Sequence, residues 1–148
     1  MLYVSDNLRA LIVSEFRYAV SQMRATQIIG DKLYFMTATG GMVQRIFNIE
    51  FDQELVFAHQ VLTYAHTHIA GRLNSPRQGQ MTSVMPQGLL EALEDDLEEL
   101  ANRWEKPEDI ADILSHITLL GYSATGNGFY LFTKGQLSLE RNAGGERT

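Results

Sequence analysis

The apolar residues near the N-terminus recur with the 3.6-residue period of an amphipathic helix. This pattern predicts a helix over residues 6–25, whose N-cap is Ser5 or Asp6. A second helix is predicted from Asp52 to about Leu73, because an N-terminal aspartate is a preferred helix start. The broad apolar face of the first helix consists of Leu8, Leu11, Ile12, Phe16, Ala19, Val20 and Met23.

The narrowest apolar pattern lies in the second half of the chain. Five large apolar residues recur there at spacings of three and four, as do the a and d positions of a helix that packs against one other helix. This leucine seam predicts a helix over residues 86–104. Pro107 at a helix start predicts another helix over residues 107–120, which ends at Gly121. The leucine seam consists of Leu90, Leu93, Leu97, Leu100 and Trp104.

Two segments alternate apolar and polar residues around glycines, which is the signal of a β-hairpin. The first covers residues 33–50 and turns at Gly40 and Gly41, and the second covers residues 121–134 and turns at residues 126–128. The predicted fold class is therefore α+β. Four helices pack on small antiparallel β-hairpin sheets, in the order α-β-β-α-α-α-β-β.

Residues 74–88 form the longest stretch without an apolar period. A connection of about 15 residues is near the upper limit inside a compact domain. The two halves that it separates are each small for an independent core. We therefore predict one domain over residues 1–140 with a long mid-chain loop at residues 74–88. The polar residues 141–148 are predicted to form a disordered tail.

Composition excludes several classes of protein. The chain contains no cysteine, which rules out disulfides, thiolate nucleophiles and cysteine-ligated metal clusters. Its formal net charge of −6 opposes the approach of nucleic acid and of anionic membranes. No apolar run approaches the roughly 18 residues of a membrane span, and the N-terminus lacks the order of a signal peptide. The sequence therefore predicts a cytoplasmic protein without a membrane partner.

The last predicted elements resemble a known DNA-binding arrangement. Helices 86–104 and 107–120, followed by the hairpin 121–134 with its run LFTKG, are similar to the C-terminal part of winged-helix transcription regulators. The resemblance covers about 17 residues and implies a regulator whose second helix enters the major groove. The first turn of that helix is acidic, so repulsion from the phosphates disfavours this alternative.

Histidines on the second predicted helix raise a metal hypothesis. Side chains on one helix share a metal ion at spacings of three or four, whereas His59 and His66 are seven residues apart, which is roughly 10.5 Å along the axis. A metal-dependent protein using His59 or His66 would need ligands from another helix. Structural histidines are the favoured interpretation, and we predict no cofactor.

Acidic residues on the helix 86–104 could in principle supply paired carboxylates for acid–base catalysis. They fall on the side of the helix opposite the leucine seam, so a solvated acidic surface is the favoured interpretation. No serine nucleophile motif occurs either. The sequence therefore leaves enzyme activity undecided and leans against it. The acidic residues are Glu91, Glu94, Asp95, Asp96, Glu98 and Glu99.

Two polar residues, Glu15 and Gln22, fall within the apolar arc of the first helix. Either the helix is turned so that Glu15 reaches water, or the two side chains meet those of a second copy about a two-fold axis. The leading prediction is a non-catalytic interaction or regulatory protein that acts as a homodimer, with another protein as a further possible partner. The leucine seam either faces helix 107–120 of the same chain or joins that interface. The predicted interface residues are Leu11, Glu15, Tyr18, Gln22, Leu93, Leu97, Leu100 and Trp104.

Overall fold

A computed structural model of the chain describes residues 1–73, 88–106 and 108–124. Within these ranges the regular elements are all helices and there is no strand, so the α+β prediction is wrong. Both predicted hairpins are affected, and the described order of elements is five successive helices. They are α1 (Asp6–Ala25), α2 (Ile29–Ile49), α3 (Gln53–Leu73), α4 (Leu89–Glu105) and α5 (Ala111–Ala124).

The segment predicted as the hairpin 33–50 is the helix α2. Its buried residues follow a helical period, because α2 packs against α1 on one side and α3 on the other. Gly40 is buried, and a Cβ placed there would lie 4.0 Å from Cβ of Leu62 on α3. The glycine pair therefore lies inside a packed helix rather than in a turn. The buried residues of α2 are Met36, Thr39, Gly40, Met42, Val43 and Ile46.

Helix caps explain where α1 and α3 begin. The hydroxyl of Ser5 accepts a hydrogen bond from the backbone amide of Leu8 at 3.4 Å, which confirms Ser5 as the N-cap of α1. Oδ1 of Asp52 accepts from the amide of Glu54 at 2.8 Å, as predicted for the helix that follows it. Both helices span the predicted residues to within one position.

The predicted boundaries of the last helix are wrong at both ends. α5 begins at Ala111 instead of residue 107, and it continues through Gly121 to Ala124. Gly121 is thus an interior helical residue rather than a C-cap, and a hairpin cannot start there. Pro107, residues 74–87 of the predicted loop, and residues 125–148 with the rest of that hairpin and the tail lie outside the described residues.

The helices form a closed ring around one core. α1 packs against α2 and α4, α2 packs against α3, α3 against α5, and α5 against α4. Every helix contributes apolar side chains to the same buried cluster. At the α1–α4 boundary, the ring of Phe16 lies edge-to-face on the indole of Trp104, with centroids 5.3 Å apart. The first and fourth helices, which are far apart in the chain, thus complete the ring of helices.

Two acidic residues of α4 are buried and contact side chains of other helices. Glu94 is 4% exposed, and its carboxylate accepts from Nζ of Lys32 at 2.8 Å. Asp96 is buried as well and lies against His116 of α5. The prediction that the acidic face of this helix is solvated is therefore wrong for these two residues. Their partners come from helices that the local sequence of α4 does not reveal.

The substitution Gly41→Ala tests whether residues 33–50 form a helix or a hairpin. The residue is half-buried inside α2, and the nearest atom to an added Cβ is Nη1 of Arg45 at 3.7 Å. We expect Gly41→Ala to raise the free energy of unfolding by about 1 kcal/mol, because alanine is that much better than glycine in a helix interior. Urea denaturation measures this difference. A loss of stability would instead indicate a backbone conformation that requires glycine.

Candidate functional site

The candidate site begins with an exposed stripe on α1. Leu11, Glu15 and Tyr18 are exposed and Gln22 is half-buried, although all four recur at the spacing of one helix face. The opposite face of α1 carries the buried residues, including Phe16 and Met23. α1 thus covers the core with one face and presents a partly apolar second face to its surroundings.

Helix α2 continues this exposed surface with aromatic side chains. The ring of Phe35 makes edge-to-face contacts with Tyr18 of α1, at a centroid distance of 6.2 Å, and with Tyr34, at 5.1 Å. Tyr18 and Tyr34 are 57% and 68% exposed, so most of each outer ring remains accessible. We call this surface the α1–α2 face. It consists of Leu11, Glu15, Tyr18 and Gln22 of α1 with Tyr34, Phe35, Ala38 and Arg45 of α2.

A groove of about 250 Å³ runs between the two helices on the α1–α2 face. Glu15 and Arg45 both line it, one from each helix. Within the described part of the chain, neither side chain forms an ion pair or a side-chain hydrogen bond. Each side chain is therefore open, as far as the described residues go, to an opposite charge that approaches the groove.

Unlike the α1 stripe, four of the five residues of the leucine seam lie inside the chain's own core, and the fifth, Leu90, is half-buried. Leu93, Leu97, Leu100 and Trp104 are all 0% exposed. α4 turns them towards α1 and α5. Of the two predicted interface surfaces, only the α1 stripe is open to a second molecule in this structure.

The two candidate metal ligands line one shallow cavity of about 220 Å³ between α2 and α3. His59 makes an edge-to-face contact with Phe47, at 5.7 Å between ring centroids. Nε2 of His66 lies 2.5 Å from Oγ1 of Thr37, whose own proton is donated to the carbonyl of Leu33. Nε2 of His66 therefore donates and is not a free ligand atom.

Burial lowers the pKa of His66, since desolvation penalises the charged ring. A neutral imidazole is compatible with metal binding, but a site needs further ligands. Among the described residues, no three His, Asp or Glu side chains converge as a metal site. The structure gives both histidines ordinary packing partners.

The pair His116 and Asp96 has the composition of a catalytic dyad. Nδ1 of His116 lies 2.5 Å from Oδ2 of Asp96, between α4 and α5. Both residues are buried, and Nε2 of His116 has no hydrogen-bond partner within the described ranges. A substrate would have to open the α4–α5 interface to reach this ring. The pair is therefore a buried interhelical contact in the observed conformation.

Sequence reasoning found the α1 half of the candidate site and missed the α2 half. Tyr34, Phe35 and Arg45 were not predicted, because residues 33–50 were interpreted as strands. A signal for the helix is nevertheless present, since Met36, Gly40, Val43 and Phe47 recur at spacings of four, three and four.

Comparison with known protein families, curated proteins and solved structures found no match to this chain. In the described ranges, no helix combines the length and the apolar character that crossing a membrane requires.

Proposed function

We propose that this protein is a non-catalytic interaction protein that acts as a homodimer through its α1–α2 face. The observation that carries this proposal is that the face combines accessible aromatic rings with Glu15 and Arg45, which line one groove and have no ion-pair partner among the described residues. A dimer about a two-fold axis is self-complementary, so each copy supplies both the acid and the base. Such a contact forms two identical ion pairs at once.

The geometry of α1 suits this arrangement. From Leu11 to Gln22 the exposed stripe extends over about 16 Å at 1.5 Å per residue. Two such helices crossing at the axis would bury Leu11 and Tyr18 beside the charged pairs. Exposed aromatic rings are enriched at protein interfaces because they bury much area at a small entropy cost. The location predicted from the sequence, the cytoplasm, belongs to the same proposal.

Charge reversal tests the dimer. Light scattering of the natural chain should give twice the chain mass of 16.7 kDa at micromolar concentration. We expect Glu15→Arg to weaken dimerisation at least about tenfold, or 1.4 kcal/mol, because it places like charges beside Arg45 of the second copy. The double variant Glu15→Arg, Arg45→Glu should restore the dimer, since it exchanges the two signs.

Glu108→Arg is the matched control, because it makes the same change of charge at an exposed position outside the α1–α2 face. It should leave dimerisation unchanged. A natural chain that is monomeric at micromolar concentration would contradict the proposal. So would a dimer that withstands Glu15→Arg, or one that the double exchange fails to restore.

A further inference from the structure

An open groove of about 640 Å³ lies away from the α1–α2 face, where the N-terminal segment meets the starts of α3 and α5. We call it the N-terminal groove. Three aromatic side chains line it with most of their surface accessible: Tyr3 is 75% exposed, Phe51 73% and Phe57 55%. Ile110 and Leu114 of the α5 region line it as well. Its volume falls within the roughly 300–1,000 Å³ that small-molecule sites occupy in proteins.

The ionisable side chains that line the N-terminal groove are all acidic. They are Asp52, Glu54 and Asp109, and the described lining contains no lysine, arginine or histidine. Asp52 already accepts hydrogen bonds from the amides of Tyr3 and Glu54. Asp109 accepts one from the amide of Ala111 at 3.3 Å. These two carboxylates therefore serve as caps for α3 and α5.

Glu54 differs from the other two carboxylates. Its side chain is only 12% exposed, and its Oε2 is fully buried without a hydrogen-bond partner in the described ranges. Burial raises the pKa of Glu54 and outweighs the opposite effect of the nearby Met1 amino group, and the neighbouring charges of Asp52 and Asp109 add to the rise. A positive group that enters the groove would relieve this penalty, because it would stabilise the charged carboxylate.

An ammonium group already approaches this position in the structure. The amino group of Met1 lies 3.5 Å from Oε2 of Glu54, at a distance that suits attraction between charges but forms no hydrogen bond. Met1 is 57% exposed, so water reaches this end of the groove and screens the attraction. A ligand ammonium would meet the same carboxylate with its body against the aromatic rings.

We propose that the N-terminal groove binds a small organic ammonium ion that has an aromatic or alkyl body. Glu54 would accept hydrogen bonds from the ammonium group, and Tyr3, Phe51 and Phe57 would pack against the body. A cation near aromatic faces gains further attraction from the ring quadrupoles. The recessed carboxylate would thus contact the ammonium end of such a ligand, and the exposed rings would contact its body.

Phenethylamine is the probe, and phenethyl alcohol is its neutral counterpart of nearly equal size. Titration calorimetry and chemical-shift changes of the full chain should show millimolar binding of the amine, with the alcohol at least about tenfold weaker. Glu54→Gln should remove this difference between the two compounds, because it removes the buried charge and keeps the shape. Phe57→Ala should weaken both compounds together.

Glu91→Gln is the matched control, because it removes one exposed carboxylate from α4 and leaves the groove intact. It should preserve the preference for the amine. Equal binding of amine and alcohol to the natural chain, or no binding of either, would overturn the proposal. A basic amphipathic peptide of leucine and lysine that binds through Phe57, while phenethylamine does not bind, would assign the groove to a protein partner instead.

Discussion

Replacing Lys32 with methionine is expected to lower the free energy of unfolding by about 3 kcal/mol. Nζ of Lys32 donates to Oε2 of Glu94 at 2.8 Å and to the backbone carbonyl of Met23 at 2.5 Å. One ammonium group thus joins the last turn of α1, the first turn of α2 and the middle of α4. Equilibrium urea denaturation of the natural chain and the variant measures the loss.

The size of this effect follows from the burial of the carboxylate. Without Lys32, Glu94 would remain a nearly inaccessible charge without its cation. Leaving one partner of a buried ion pair alone costs about 3–5 kcal/mol. The lower end applies here, since the Lys32 side chain is 13% exposed and water can reach the vacated site.

Two controls separate the buried charge from lost packing and from charge in general. In the double variant Lys32→Met, Glu94→Leu, most of the stability should return, because no unpaired charge remains. Arg24→Met removes exposed pairs with Asp95 and Glu98 at the nearby α1–α4 boundary, and it should cost less than about 1 kcal/mol. If Lys32→Met costs no more than Arg24→Met, the buried pair is not the cause.

Gly121→Ala is expected to lower the free energy of unfolding by about 2 kcal/mol. A Cβ at Gly121 would lie 2.9 Å from Cα of Ala65 and 3.0 Å from the ring of Tyr64, both on α3. Carbon atoms pack best at about 3.5–4.0 Å, so α3 and α5 would have to separate. The helix propensity of alanine offsets only about 1 kcal/mol of this overpacking.

The comparison with Gly41→Ala makes this prediction specific to packing. Both substitutions place alanine inside a helix, yet one should stabilise the protein and the other destabilise it. Shortening Tyr64 to leucine should not rescue Gly121→Ala, because the closest contact is with the backbone of α3. A stabilising Gly121→Ala would contradict the close approach of α3 and α5.

Only the α1 half of the candidate site could be predicted from the sequence. Leu11, Glu15, Tyr18 and Gln22 follow from the helical period of α1, which the sequence shows directly. Arg45 could not be placed opposite Glu15, because residues 33–50 carry both an alternating and a helical pattern and Gly40 with Gly41 favours a turn. Which pattern forms depends on the neighbours of the segment, and a single sequence does not show them.

The amino-acid sequence by itself determined the helices whose signals are local. The capping side chains of Ser5 and Asp52, and the spacings of the apolar residues that follow them, act within a few positions of the chain. Only the tertiary structure decided that α2 is a helix, because burial against α1 and α3 outweighs the cost of the adjacent glycines Gly40 and Gly41 in its interior. It also decided the partners of Glu94 and the packing role of Gly121. These depend on atoms of other helices, and no local pattern encodes those distances.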